Sequence, residues 1–173
     1  MTSSTVPFII EGKDVTSTST FQVIGPETGK KLWDASASSI AEATQAVDSA
    51  QAAFTSWSQT KPATRKGILL RAADLLISRK DELFSYQSQE TGAGRPFMEV
   101  NIRAAVGILQ DIAGRLEAAL QGFLPIAEEE GTHAMMIKEP YGVILAIAPW
   151  YVCLQLYFTP RFTLFSLPFS FFS

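Results

Sequence analysis

The chain has 173 residues, a net charge of −3, one cysteine and one histidine. That length suits one domain with a real core and is usually too short for two large ones. The acidic balance and scattered basic residues exclude general attraction to nucleic acid. Lone Cys153 excludes an internal disulfide framework and a multi-cysteine zinc site, and lone His133 argues against a histidine-rich metal site or a Ser-His-Asp triad.

In chain order, "MTSSTVPFII" lacks a basic n-region followed by an apolar core, so no secretory signal is read there and the expected compartment is cytoplasmic. "VPFIIEGKDV" joins a β-branched run to a turn. Phe21–Ile24 reads as a strand and Gly25–Gly29 as its loop, which together predict an N-terminal β-ribbon.

The period then becomes helical. Ile40, Ala43, Val47, Ala50 and Phe54 lie on one face, and Ser39 with Glu42 has capping-box spacing. Thr60 and Pro62 open a second helix with Ile68, Leu69, Ala72, Leu75 and Leu76 as its apolar face. A third runs from Asp81 to about Glu90 and stops at Gly92, and Pro96 opens a fourth that continues to about Leu120. Gly107 and Gly114 inside that last helix each cost about 1 kcal/mol relative to Ala, which predicts close packing against a neighbour. After "QGFLPIAEEEG" two β runs are expected, Thr132–Lys138 and Gly142–Ile147. The second is apolar without alternation, as in a strand buried on both faces of a parallel sheet.

Individually tempting residues carry little chemistry. Cys153 sits among Val152, Leu154 and Leu156 with no base or cation to lower its pKa, so it reads as an inert apolar thiol. His133 has no acidic partner at metal-ligand spacing, and Glu128-Glu129-Glu130 reads as a solvated turn. Gly92 and Gly94 follow a helix rather than a strand, so the dinucleotide fingerprint fails its context and only a turn remains. No metal site is expected.

Four stretches in register carry a family likeness: "VIGPETGKKL", "AVDSAQAAFTSW", "LLISRKDELFSYQSQETGAGRP" and "KEPYGVILAIAPW". Over about residues 7–150 the chain resembles the N-terminal part of an aldehyde dehydrogenase, of the vanillin or salicylaldehyde type. The resemblance implies an incomplete α/β fold: an N-terminal β-ribbon, about four helices, a further ribbon segment and the first strand of a Rossmann-like domain. Residues 8–35 and 132–140 would belong to the ribbon system that pairs subunits into homo-oligomers. It also implies oxidation of an aldehyde substrate to a carboxylic acid with NAD or NADP. In that reaction a cysteine thiolate attacks the aldehyde, a glutamate activates water, and an asparagine amide with a backbone N–H holds the oxyanion.

Of the family's cofactor contacts, Ile147, Ala148, Pro149 and Trp150 match, as one wall of the cofactor site. The asparagine that follows in the family is replaced here by Tyr151. Thiolate, base and oxyanion donor are therefore all missing, no catalytic residue is assigned, and this polypeptide is expected to be inactive.

Residues 1–150 form the family portion on this reading, and residues 151–173 a foreign apolar tail. Trp150-Tyr151-Val152 must be encoded TGG-TAY-GTN, which contains the form of a eukaryotic splice donor, so the tail is read as translated intron. The strand at Gly142 would then lack parallel neighbours and leave its edges unpaired. The alternative is a non-enzymatic protein. Tyr141–Pro160 holds no charged residue, and about 20 such residues suffice to span a membrane, so residues 141–173 could serve as a tail anchor. Pro149, Pro160 and Pro168 divide that segment into pieces shorter than a span. An oligomer-interaction module is the other non-enzymatic form.

Overall fold

The computed structural model describes residues 5–147 and 169–171. Strands β1 (Phe8–Ile10) and β2 (Lys13–Val15) form an antiparallel hairpin. Its two-residue turn places Glu11 at φ 56° and Gly12 at φ 71°, the left-handed pair that matches the twist of a tight hairpin. Strands β3 (Thr20–Ile24) and β4 (Lys31–Ser36) form a second hairpin with a register shift at Val23/Ile24. Gly25–Gly29 is its loop, as the sequence predicts, closed by Gly25 N–H donating to Lys30 O at 2.9 Å. Val6 bridges to Ala35 in parallel: its N–H donates to Asp34 O and its carbonyl accepts from Ser36 N–H. That contact ties the start of the chain to β4.

All four helices form: α1 (Ile40–Ser58), α2 (Pro62–Ser78), α3 (Lys80–Thr91) and α4 (Arg95–Leu120). The capping box at the start of α1 is complete. Glu42 N–H donates to Ser39 Oγ at 3.3 Å, and Ser39 N–H donates to the Glu42 carboxylate at 2.7 Å. Ser17 Oγ also donates to that carboxylate, at 3.2 Å, so one side chain pins both the helix start and the β2–β3 linker. These hydrogen bonds hold the Glu42 carboxyl below the usual range, the backbone bond at Ser39 most of all.

Pro62 occupies the first turn of α2, where its missing N–H costs nothing. Gly92 ends α3 at φ 69° and Gly94 caps the start of α4, so this glycine pair is a helix-to-helix turn.

The core lies between α2 and α4. Leu69, Ala73 and Leu76 pack on Ala105, Leu109 and Ala113, and the alanines let the two backbones approach. A second cluster of Phe84, Met98 and Ile102 fixes α3 on α4. Each fully buried leucine contributes about 1.5–3 kcal/mol relative to exposure.

Several expectations need correction. Leu75 stays exposed in α2 while Ala73 is buried, because the partner helix faces the Leu69–Ala73–Leu76 stripe. Gly107 and Gly114 make no close approach: a Cβ built on either meets nothing within 4 Å. Close packing is supplied by Ala105 and Ala113 on the opposite face. The apolar face of α1 is no core either. No α1 residue is buried and Ile40 is 90% exposed; its neighbours among the described residues include the short strands β1, β5 and β6.

The run Thr132–Lys138 is not a strand. Only Met136 pairs, in a single antiparallel bridge to Phe123, and β-rich composition without a partner ladder leaves Met135 and Ile137 exposed. Gly122 is required at that bridge, because a Cβ there would run into the Met136 carbonyl.

The expected strand Gly142–Ile147 is shorter, β5 (Gly142–Ile144), and it does have a parallel neighbour. Strand β6 (Phe169–Phe171) pairs with it in the register Gly142–Phe169, Val143–Ser170 and Ile144–Phe171. The tail therefore satisfies the backbone groups that β5 was expected to leave bare along one edge.

Candidate functional site

Parallel strand β5 directs the chain toward the four residues matched to the family's cofactor wall. Its carboxyl end delivers Leu145, Ala146 and Ile147. Leu145 and Ala146 line an open groove of about 480 Å³, whose other walls are Phe8 and Ile10 of β1 and Ala43, Ala46 and Val47 of α1. Ser38 and Glu42 supply its polar rim. Glu42 is already engaged by Ser39 and Ser17, so the groove is an apolar recess with an occupied carboxylate at one end. Among the described residues its lining is apolar apart from Ser38 and Glu42.

Of the four candidate cofactor residues, only Ile147 is described, and it is 83% exposed. Ala148, Pro149 and Trp150 lie outside the described residues, as do Tyr151 and Cys153. The remaining sequence candidates are not drawn together. His133 is exposed in the loop beyond α4, and Glu128, Glu129 and Glu130 are exposed on a turn closed by Thr132 N–H donating to Glu129 O. Among the described residues no group of three His, Cys, Asp or Glu side chains is placed to hold a metal ion. No described helix is long and apolar enough to cross a membrane.

Sequence reasoning missed one buried residue at the other end of α1. Arg65, on α2, is only 2% exposed. One terminal nitrogen donates to Trp57 O at 2.9 Å and Ser58 O at 3.1 Å, carbonyls at the end of α1, and the guanidinium lies 5.3 Å from the Trp57 ring centroid. Burial pushes its pKa down from the ordinary arginine value, yet a guanidinium stays charged at any relevant pH. Nothing local in "KPATRKG" marks Arg65 over Lys61 or Lys66. The signal is its distance of one helical connection from the carbonyl end of α1.

The arrangement of two ribbons, a helical layer and a parallel strand pair is that of a partial α/β fold. A model of the aldehyde dehydrogenase family matches residues 14–159. The chain belongs to the aldehyde dehydrogenase family. The matched span runs past Trp150 and takes in Tyr151 and Cys153.

Among individual relatives, vanillin dehydrogenase of Pseudomonas sp. (strain HR199 / DSM 7063) is 38% identical over 147 residues, covering 84% of this chain and 30% of that protein. The chain thus spans under a third of the length of this relative. The solved salicylaldehyde dehydrogenase from Pseudomonas putida G7, complexed with salicylaldehyde, superposes with a TM-score of 0.89 at 22% identity, over 95% of this chain and 34% of that one. An NADP-dependent enzyme of E. coli superposes with a TM-score of 0.91 at 20% identity, over 96% and 35%. At these identities the superpositions establish the shared fold.

Proposed function

We propose that residues 1–150 are the amino-terminal part of an NAD(P)-dependent aldehyde dehydrogenase that oxidises an aromatic aldehyde to its carboxylic acid. The observation that carries this reading is the family match across most of the chain, with vanillin dehydrogenase at 38% identity. The cofactor assignment rests on topology as well. In open α/β sheets ligands bind beyond the carboxyl ends of parallel strands, and β5 is such a strand, leading directly into Ile147, Ala148, Pro149 and Trp150. These four residues would form one wall against the cofactor. NAD or NADP, when bound, supplies the hydride acceptor, and this chain's contribution is shape and exclusion of water along that wall.

The 173-residue polypeptide by itself is proposed to be catalytically silent. Its sole thiol, Cys153, has no base or cation near it in sequence, and Tyr151 stands where the family carries its oxyanion asparagine. Loss of nucleophile activation and of the oxyanion donor removes the two largest sources of rate enhancement for acyl-type chemistry. A homo-oligomer through the ribbon segments and a cytoplasmic site of action complete the proposal.

The experiment is an assay of the purified chain with vanillin and with salicylaldehyde, each against NAD and NADP, following nicotinamide absorbance. No turnover above the buffer rate is expected. Steady turnover that disappears on Cys153→Ser would overturn the assignment of inactivity while leaving the family membership intact.

A further inference from the structure

A cavity of about 400 Å³ lies away from β5, lined by Val6, Trp33, Tyr86 and Glu90. Three elements build it. Trp33 comes from β4, and Tyr86 and Glu90 stand one helical turn apart on α3. Val6 is held beside β4 by its backbone bonds to Asp34 and Ser36. The Trp33 and Tyr86 rings meet at 81° with centroids 6.0 Å apart, so they form a corner of two aromatic walls.

The Glu90 carboxylate lines this corner beside the Trp33 side chain. Asp48, Asp74 and Glu117, helix acids outside any ion pair among the described residues, are exposed, whereas Glu90 is half-buried, and the Glu42 carboxylate is taken up by Ser39 and Ser17. Asp81 and Glu99 both pair with Arg95, Glu82 pairs with Arg79, and Asp111 pairs with Arg115. Glu90 has no cationic partner among the described residues. Partial burial pushes its carboxyl above the usual range, and the neighbouring Trp33 side chain only partly opposes this. A carboxylate short of counter-charge beside two aromatic rings is complementary to a positive group.

We propose that the Trp33–Tyr86–Glu90 corner binds an organic ammonium ion, an alkylated amine whose methyl groups rest on the rings and on Val6. Aromatic faces attract a cation through the ring quadrupole, most strongly where a carboxylate completes the charge balance. A small inorganic cation is disfavoured, because such ions take six or more oxygen ligands and this cavity presents one carboxylate amid apolar and aromatic walls. The site is separate from the proposed cofactor wall and does not depend on aldehyde oxidation.

The test is a titration of the full 173-residue chain with choline chloride, following the Trp33 indole N–H by NMR. The uncharged isostere 3,3-dimethylbutan-1-ol is titrated in parallel. Saturable binding in the millimolar range is expected for choline, with the isostere about tenfold weaker or more, the ratio that about 1.4 kcal/mol produces. Glu90→Gln keeps the shape and should weaken choline binding by about tenfold. Equal binding of choline and the isostere would overturn the proposal, as would indifference to Glu90→Gln or displacement of choline by potassium chloride at constant ionic strength. If Glu90→Gln fails to fold, the choline and isostere comparison on the unaltered chain decides alone.

Discussion

Replacing Gly107 and Gly114 by alanine should stabilise the protein, although both lie inside its longest helix. Both glycines are exposed, neither has a positive φ, and an added Cβ meets nothing within 4 Å at either site. The native state therefore carries no steric cost. The gain has two parts: better helix propensity and a smaller loss of backbone entropy from the unfolded chain, together worth about 0.4–1 kcal/mol per site. Seven residues of α-helix separate the sites by about 10 Å, far enough for their effects to add. Gly107→Ala/Gly114→Ala should therefore gain about 1–2 kcal/mol, a rise in Tm of roughly 2–8 °C for a chain of this size. Urea unfolding followed by circular dichroism gives the number, with an unchanged m-value confirming that the unfolded state is comparable. A fall in stability at either single site would refute the argument, since it would mean that the glycine face of α4 is packed after all.

The other predictions address the ends and bridges of the helices. Ser39→Ala removes half of the capping box and should cost about 1 kcal/mol, read as a lower urea midpoint and faster amide exchange in the first turn of α1. Because the Glu42 pKa is depressed in the folded state, the unfolded chain binds its proton first as acid is added. The stabilisation from Glu42 is thus fully present above its ordinary value of 4.5 and fades as the pH falls through the lower folded-state value. Comparing the acid unfolding of the parent and of Glu42→Gln should show the difference closing in that window; curves that stay parallel through it would contradict the assignment. Arg65→Met removes the charged donor shared by the Trp57 and Ser58 carbonyls and should cost about 1.5–3 kcal/mol, with Arg65→Lys recovering only part because a compact ammonium cannot lay a planar face over the Trp57 ring. Gly122→Ala should separate the Phe123–Met136 bridge, detected as loss of amide protection at both residues with little change in the α2–α4 core.

The helices were legible because their signals are local. The 3-4 spacing from Ile40 to Phe54, the Ser39/Glu42 box, Pro62 and Gly92 all act within one or two turns. What each helix packs against was not legible. The apolar face of α1 holds no buried residue, while the α4 glycines read as contacts and are exposed; in both cases the deciding neighbour lies far away in sequence. The same holds for Thr132–Lys138, whose β composition finds no ladder, and for β5, whose partner is a segment at the other end of the apolar tail. The candidate site was legible only through family likeness. Of its four residues, Ile147 alone is described, and it gains its meaning from the strand before it rather than from any contact of its own.

The arginine that clasps the end of α1 has a mechanical consequence. Its donor nitrogen belongs to α2 and both acceptors to α1, so α1 cannot swing away without hydrating a charge that is now enclosed. Rigid-body motion of the first helix and local melting of its last turn are thereby merged into one event. The connection Gln59–Lys61 should behave as a splint, exchanging its amides and resisting proteases together with the helical layer rather than with the loops.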